Sequence, residues 1–589
     1  MAASTLDLKQ KLFIHDALLI TIMGTLAACG LIYEYLMAHY AGRVLGAMES
    51  TIYAMIGIMI VSMGVGAFIA KWVKCPFNGF VWLEWAIGFA GATSIIFISL
   101  SFSLSYTLPT FLQEIYGLHP TITTDGEFVR GLTNVTKVLP FLAGGLLGLM
   151  IGMEIPLIAR IREDLHGEHL EHNIGTIYGA DYIGAGIGAA IWVLVCLQLP
   201  IIIAAVATSL VNSIVGIVFI IIYKARLTSV AKLFMAHSVL LGIITALAFG
   251  GANWMENMQA ALFKDDVIHT KMTPYQHLTL TERHVGKGLP KITSLYINGR
   301  LQFSSNDEEI YHSYLTYPAL SASARQDNVL VIGGGDGLAV RDILQWNPQS
   351  VTLIDLDKDM ISMFKGDDKD MPSDVTKRIL AMNRSAFRDP RVSVVIGDAF
   401  VEVEKLLSQK KSFDAIIVDL PDPSHPDINK VYSDFFYSRL KDLLAGDGVM
   451  VVQSTSPYHS QKAFISIGKT VQNAGFITEQ YHTNVPTFGE WGWTIATKVG
   501  KSAKQRLASS KRDIAIESNL SKEQMMAAFV FPTNFYADKS TIDINHLGSH
   551  ATYQYHQEAW GKHEGVFYTK RKISVAKSHN MSYFTKSTP

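Results

Sequence analysis

The hydrophobic and polar positions follow different patterns on the two sides of residue 252. Before that point, apolar runs of about 20 residues alternate with short polar segments, and a helix needs this length to cross the core of a bilayer. The runs lie near residues 17–37, 50–70, 81–102, 138–158, 176–197, 200–222 and 233–251. They predict an α-helical transmembrane bundle over residues 1–252 with about seven spans, and an eighth crossing remains open within 81–118 or 253–263.

Two features inside these runs carry further expectations. Glycine-rich faces at 144–148 and 184–188 allow helices to approach closely. Four acidic residues lie where an unpaired charge is costly, so we expect them to pair in the bundle, lie near helix ends or face a transport or ligand pathway. They are Glu34, Glu84, Glu154 and Asp181.

The loop charges predict an orientation. Lys and Arg residues cluster before the first span and in alternate loops, which places the N-terminus in the cytoplasm by the positive-inside rule. Seven spans would then put the C-terminal half outside. The clusters are Lys9 and Lys11, Lys71 and Lys74, Arg160 and Arg162, and Lys224, Arg226 and Lys232.

The second half of the chain has the periodicity of strands and helices. Alternating residues at 275–282 and 293–303, with Asn298-Gly299 as a hairpin turn, predict a small antiparallel sheet within residues 253–310. Strand and helix patterns then alternate through residues 311–500, which predicts a parallel α/β domain. Residues 501–589 form a C-terminal extension, the last part of which we expect to be disordered.

A glycine-rich turn between two apolar strands is the main chemical signal. Glycines let the backbone turn tightly and approach a ligand, and an acidic residue about 20 positions later, here Asp355, can bind both ribose hydroxyls. Asp336 inside the turn would repel a pyrophosphate, so the pattern favours a nucleoside with a cationic tail, such as a sulfonium. The glycines are Gly333, Gly334, Gly335 and Gly337.

Acidic residues follow the carboxyl ends of successive predicted strands, the edge at which open parallel sheets bind ligands. Carboxylates crowded there repel each other unless cations neutralise them. No His or Cys accompanies them in a coordinating pattern, so we predict no metal; a polyamine, whose amines have a pKa of about 10, fits instead. The acidic residues are Asp336, Asp355, Asp398, Asp419 and Asp422.

The net charge and the positions of the cysteines argue against several classes of protein. A net charge of −1 gives no indication of a nucleic-acid partner. The three cysteines, Cys29, Cys75 and Cys196, all lie in the apolar half without ligand-like spacing, which argues against a disulfide framework and a zinc site.

Several motifs, in order, resemble the polyamine aminopropyltransferases, the spermidine synthases, and in particular their membrane-fused bacterial members. The likeness covers roughly residues 270–498 and rests on the segments 302–312, 333–337, 397–399 and 419–423 together with Asp355. It implies a Rossmann-like fold of the class I S-adenosylmethionine-dependent transferase type. The implied reaction moves the aminopropyl group of decarboxylated S-adenosylmethionine to putrescine, giving spermidine and methylthioadenosine without a metal or redox cofactor.

The resemblance also implies a donor site. Asp336 would hold the aminopropyl ammonium, Asp355 the ribose hydroxyls, and Asp398 with Ala399 the adenine. Two glutamines, Gln276 and Gln302, would help to seat the same substrate.

The resemblance implies an acceptor site as well. Asp419 would accept the proton with the help of Tyr311, and Asp422 would bind the diamine. His312 belongs to the motif that contacts the substrate. Three departures concern this side: Phe488 stands where soluble members have a tyrosine, Ser313 replaces a glutamate, and the loop after Pro423 lacks a Gly-Pro pair.

Two alternatives remain open. One is a methyltransferase using S-adenosylmethionine itself, although Asp336 would repel the carboxylate of that substrate. The other is a transporter or sensor that binds a polyamine or nucleoside without turnover.

For the leading hypothesis we expect a multi-pass protein of the cell (inner) membrane that forms a homo-oligomer. Because the substrates are made in the cytosol, we expect a cytoplasmic catalytic domain, against the loop charges.

Overall fold

The computed structural model describes residues 2–45, 48–115, 127–167, 172–260, 263, 265–286, 288–510 and 520–564. The segment 570–589, for which disorder is predicted, lies outside this range. The described chain forms two compact units: residues up to Glu309 with Asp357–Ser385, and Ile310–Leu356 with the residues from Ala386 onward. The division of the sequence into the four segments 1–252, 253–310, 311–500 and 501–589 stays a prediction.

The N-terminal half consists of eight described helices. They are α1 (Ala2–Leu45), α2 (Met48–Ile69), α3 (Pro76–Ile115), α4 (Glu127–Gly152), α5 (Glu154–His166), α6 (Asn173–Leu194), α7 (Ile201–Tyr223) and α8 (Val230–Ala260). By length and composition, the described part contains seven helical segments that could cross a membrane. Neither region proposed for an eighth crossing supplies a separate described helix, because α3 is continuous from residue 76 to 115 and residues 253–260 belong to α8.

Glycines let several of these helices meet backbone to backbone. A β-carbon on Gly184 would lie 2.0 Å from the carbonyl oxygen of Gly24, and one on Gly148 would lie 2.6 Å from that of Met59. The close approach predicted for both glycine-rich faces is therefore confirmed.

Three of the four acidic residues predicted inside the bundle are buried: Glu34, Glu84 and Glu154. Glu84 accepts a 3.0 Å hydrogen bond from the amide of Asn212 on α7. Pairing inside the bundle is thus observed for Glu84.

A four-stranded antiparallel sheet follows the helices. Its strands are β1 (Asp266–Met272), β2 (His277–Arg283), β3 (Ile292–Ile297) and β4 (Arg300–Ser304), in that order across the sheet. The predicted turn between β3 and β4 is confirmed, since Asn298 and Gly299 both have positive φ, 50° and 76°, as a type I′ hairpin requires. Strand β1 was not predicted.

The C-terminal half is built around a seven-stranded mixed sheet with the order β10-β11-β9-β8-β5-β6-β7. Only β11 runs against the others, because it pairs antiparallel with both β9 and β10. The strands are β5 (Asn328–Gly333), β6 (Ser350–Asp355), β7 (Val392–Ile396), β8 (Phe413–Asp419), β9 (Leu444–Gln453), β10 (Ile477–Val485) and β11 (Gly489–Thr497).

Helices flank these strands in the Rossmann-like manner expected from the sequence. They are α9 (Glu308–Ala322), α10 (Leu338–Leu344), α13 (Ala399–Ser408), α14 (Asp434–Leu443) and α15 (Gln461–Asn473). Two more helices, α11 (Lys358–Lys365) and α12 (Ser373–Met382), follow β6 in the chain and belong to the other compact unit. The central strands are mostly apolar because both of their faces are covered. Residues 329–333 of β5 and 413–418 of β8 are all buried.

The described part of the extension carries α16 (Ala503–Ser509), α17 (Lys522–Ala527) and α18 (Ala551–Glu564). Phe535 and Ile542 from this segment form a small core with Phe464 and Ile465 of α15. The extension is thus part of the same folded unit as the mixed sheet.

Candidate active site

The glycine-rich turn lies directly against the end of β8. Gly333, the last residue of β5, pairs with Asp419 across the sheet and has φ +80°. A β-carbon there would lie 2.2 Å from the carbonyl oxygen of Asp419, so the position has no room for a side chain. The amide of Gly334 donates a 3.1 Å hydrogen bond to that oxygen, and the amide of Gly337 closes the turn on the Gly334 carbonyl at 2.9 Å. Gly335, between them, is buried.

Asp336 lies inside this turn and is 8% exposed. Its Oδ1 accepts a 2.9 Å hydrogen bond from the amide of Leu338 at the start of α10. The turn therefore brings a second carboxylate close enough to Asp419 to interact electrostatically with it.

Asp419 and Tyr311 form a hydrogen-bonded pair. The Tyr311 hydroxyl donates to Oδ1 of Asp419 at 2.8 Å. Burial raises the pKa of Asp419 to about 6; the Asp336 carboxylate adds to the rise, whereas the charge on His312 and the hydrogen bond from Tyr311 oppose it. Burial and the neighbouring Asp419 hold the pKa of Tyr311 well above its usual value, so its hydroxyl stays protonated and donates. A carboxylate with a raised pKa is a stronger base than an exposed aspartate.

Aromatic rings surround the Tyr311 end of the site. Trp493 lies 5.5 Å from Tyr311 between ring centroids and stacks on Tyr314 and Tyr481. Phe488, at the position where a tyrosine was expected, lies edge-on to Tyr311 at 6.2 Å. The substitution therefore places an apolar ring beside the residue that contacts Asp419.

Asp422 is held on both carboxylate oxygens. Gln453, at the end of β9, donates from Nε2 to Oδ1 at 2.9 Å. Nε2 of His556, on α18, lies 3.3 Å from Oδ2. Neither partner was predicted, although Gln453 lies at the carboxyl end of a strand, where ligand-binding residues are expected.

The remaining acidic residues lie at neighbouring strand ends. Asp355 closes β6, and its carbonyl accepts a 2.9 Å hydrogen bond from Gly397. Asp398 caps α13, which begins at Ala399, by accepting from the amide of Phe400 at 2.9 Å. Its other oxygen forms an ion pair with Lys430, which was not predicted and which no motif indicated. The five predicted aspartates thus all follow carboxyl ends of parallel strands at one edge of the sheet.

The two predicted glutamines belong to the other compact unit. Gln276 donates from Nε2 to Oδ2 of Asp357 at 2.8 Å, and the hydroxyl of Thr273 reaches the same oxygen at 2.8 Å. The Nε2 of Gln302 lies 3.4 Å from the carbonyl of Arg300. Their roles toward a substrate stay predictions.

Among the residues that the structure describes, no group of three or more His, Cys, Asp or Glu side chains is arranged to hold a metal ion. The side chains described at the strand ends supply carboxylates, a phenol and an imidazole. Such a set can bind cations and move a proton.

Comparison with known proteins identifies the family. Residues 308–507 match the model of the spermine/spermidine synthase domain. The chain is 51% identical over 551 residues to a polyamine aminopropyltransferase of Shewanella oneidensis, covering 94% of this chain and 96% of that protein. It is 30% identical over 557 residues to polyamine aminopropyltransferase 1 of Streptomyces coelicolor, covering 92% and 94%.

A solved structure, spermidine synthase in complex with the transition-state analogue AdoDATO, matches with 23% identity and a TM-score of 0.39, covering 47% of this chain and 88% of that one. A likeness at this level supports no detail of the site. The sequence relationships, in contrast, extend over nearly the full length of both proteins. The protein is therefore an enzyme, and the chain belongs to the polyamine aminopropyltransferase family.

Proposed function

We propose that this aminopropyltransferase uses putrescine as its acceptor and releases spermidine and methylthioadenosine. The observation that carries the proposal is the Asp419–Tyr311 pair, joined by a 2.8 Å hydrogen bond beside Asp336 and in the same unit as Asp422. It combines a base of raised pKa with carboxylates that suit a doubly charged diamine.

In the proposed reaction, one ammonium of the diamine is bound by Asp422 and the other lies near Asp419. Asp419 accepts a proton, which leaves a neutral amine nitrogen with a free electron pair. This nitrogen attacks the aminopropyl carbon next to the sulfonium and forms a C–N bond. The C–S bond breaks, its electron pair neutralises the sulfur, and methylthioadenosine leaves.

Placement of the two substrates supplies much of the rate in this scheme, because the sulfonium is already a good leaving group. The proposed donor of the aminopropyl group is decarboxylated S-adenosylmethionine. Asp336 would hold the ammonium of this donor and so align its reactive carbon. Asp355 and Asp398, at the next two strand ends, would bind the ribose and the adenine. Tyr311, held protonated, keeps the Asp419 carboxylate oriented by donating to one of its oxygens.

Methylthioadenosine release by the purified full-length enzyme, measured over a panel of diamines and polyamines, tests the acceptor. We expect the highest kcat/KM with putrescine and a loss of at least about 100-fold in Asp419→Asn, the effect typical of removing a general base. Asp427→Asn is the matched control, since the Asp427 side chain is 85% exposed. Preference for a longer amine, or full activity of Asp419→Asn, would refute this assignment.

We further propose that the helical bundle anchors the enzyme in the cell membrane. Seven helical segments in the part of the chain that the structure describes have the required length and hydropathy. Large apolar side chains on the bundle are exposed in the isolated chain, including Phe249 at 88% and Phe68 at 75%. Water would solvate such side chains poorly, whereas lipid acyl chains would cover them.

The catalytic part is proposed to face the cytosol, where its substrates are made. Fusions at the C-terminus test the side: a green fluorescent protein should fluoresce and an alkaline phosphatase should stay inactive. An active phosphatase fusion would place the catalytic part on the opposite side.

A further inference from the structure

We propose that helix α18 of the C-terminal extension completes the acceptor site, with His556 as a positioning residue that fixes the carboxylate of Asp422 for the incoming amine. The inference rests on the proposed role of Asp422 as an acceptor ligand. It adds a segment outside the family domain match at residues 308–507 and a residue with no role in the proposed chemistry.

Asp422 lies on a loop, residues 420–433, between β8 and α14; the one regular element of the loop, a 3₁₀ helix over Pro426–Tyr432, begins after Asp422. Within the loop, the hydroxyl of buried Tyr432 donates to the carbonyl of Pro421 at 2.9 Å. Since a loop aspartate would otherwise sample several rotamers, the position of its carboxylate depends on the groups that contact it.

His556 and Gln453 contact opposite oxygens of this carboxylate. An ionised carboxylate only accepts hydrogen bonds, so Nε2 of His556 carries the proton that it directs at Oδ2, 3.3 Å away. Gln453 donates to Oδ1 at 2.9 Å. The two donors define the plane of the carboxylate, while its remaining lone pairs stay open to an ammonium. The side chain of Asp422 is 19% exposed, whereas that of His556 is 1% exposed.

The extension also contacts the part of the loop that follows Asp422 in the chain. Asn545, fully buried, donates from Nδ2 to the carbonyls of Asn429 and Tyr432 at 3.2 and 3.1 Å. Gln557, next to His556, donates to the carbonyl of Ser424 at 3.0 Å. With contacts at 424, 429 and 432 as well as at Asp422, the extension sets the conformation of the whole loop.

The position of the His556 ring determines how it acts on the aspartate. Its hydrogen bond to Oδ2 orients the carboxylate. The His556 side chain is buried, and α18 is joined to α15 through the 3.1 Å contact between Thr552 and Ser466. The distance between Asp419 and Asp422, which must match the length of the diamine, then depends on α18.

Steady-state kinetics of the full-length enzyme in detergent test the inference, with the Michaelis constants for acceptor and donor measured separately. In His556→Leu, we expect the acceptor KM to rise at least about tenfold while the donor KM stays within twofold. His556→Gln, whose amide nitrogen reaches the place of Nε2, should restore the acceptor KM to within threefold of the wild-type value. His546→Leu is the matched control, because His546 pairs with Asp434 on the surface of the same segment.

Two results would overturn the inference. One is an unchanged acceptor KM in His556→Leu. The other is an equal rise of both Michaelis constants, together with a lowered melting temperature, in the Leu and Gln variants alike, which would show a purely structural role. Asp422→Asn separates this from failure of the proposed function. If it raises the acceptor KM and His556→Leu does not, the inference alone is wrong. If Asp422→Asn has no effect, the assigned role of Asp422 fails with it.

Discussion

Replacing Asp419 by Asn should stabilise the enzyme while it abolishes turnover. The carboxylate lies at the end of a buried strand, next to Asp336. Burial raises its pKa to about 6, against 3.8 for an exposed aspartate, because the protein solvates the negative charge less well than water does. Asparagine has nearly the same volume and no charge, and its amide oxygen can still accept the hydrogen bond from Tyr311.

The size of the effect follows from this pKa shift. A rise of about two units, at about 1.4 kcal/mol each, makes the ionised side chain unfavourable by up to about 3 kcal/mol. The sign is set by linkage: the folded state binds the proton more tightly, so the stability present below pH 3.8 is lost as the pH rises through about 6. We therefore expect Asp419→Asn to gain about 1–3 kcal/mol at pH 8 and almost nothing near pH 4.

Calorimetric melting of wild-type and variant enzyme in the same detergent, from pH 4 to 8, measures this difference, and methylthioadenosine release measures the activity. A gain in melting temperature of several degrees at pH 8, shrinking toward pH 4, is expected. Two results would contradict this prediction: a variant that melts at a lower temperature than the wild type at pH 8, and a variant whose melting temperature rises equally at pH 4 and pH 8. Either would show that groups other than Tyr311 and His312 compensate the buried charge.

Three further predictions follow from particular contacts. Tyr311→Phe removes a hydrogen bond that lowers the pKa of Asp419, so the acid limb of the kcat/KM profile, which reports the free enzyme, should move to higher pH; an unmoved limb would exclude Asp419 as the titrating base. Gly333→Ala places a β-carbon 2.2 Å from the Asp419 carbonyl at positive φ and should cost about 3 kcal/mol or more in chemical denaturation, whereas Gly446→Ala, with open space around it, should be near neutral. Asn545→Ala leaves two buried carbonyls without their donor and should lower stability by about 2–4 kcal/mol, against less than about 1 kcal/mol for His546→Ala on the surface.

The fold was predictable where local patterns determine it. Apolar runs predicted the helices of the first half, and the Asn298-Gly299 pair predicted the hairpin between β3 and β4, because few residues other than these tolerate two positive φ angles in succession. Strand β10 has no apolar run that would predict it. It lies at the edge of the sheet, and its residues Thr478, Glu479 and Gln480 are partly exposed, so it lacks the apolar pattern of a central strand.

The candidate site was predictable to the extent that sheet topology determines it. Carboxyl ends of parallel strands meet at one edge, so residues as far apart in sequence as Asp336 and Asp419 could be grouped without knowing any distance. The hydrogen bonds between side chains could not be predicted in this way. The donor from Tyr311 to Asp419 comes from a position 108 residues away, and sequence spacing alone does not indicate such a contact.

The two ends of the acceptor site differ in how much of each lies within the family domain match. Asp419, Tyr311 and the aromatic residues beside them all lie within the family domain match at 308–507. Asp422 lies in that range as well, but one of its two hydrogen-bond partners is 134 residues away, on a helix beyond the match. A change in α18 would therefore alter the binding of the acceptor amine without altering any residue that the family motifs contain. If His556 has the role proposed for it, the amine preference of related enzymes should vary with the extension even where the aspartates are the same.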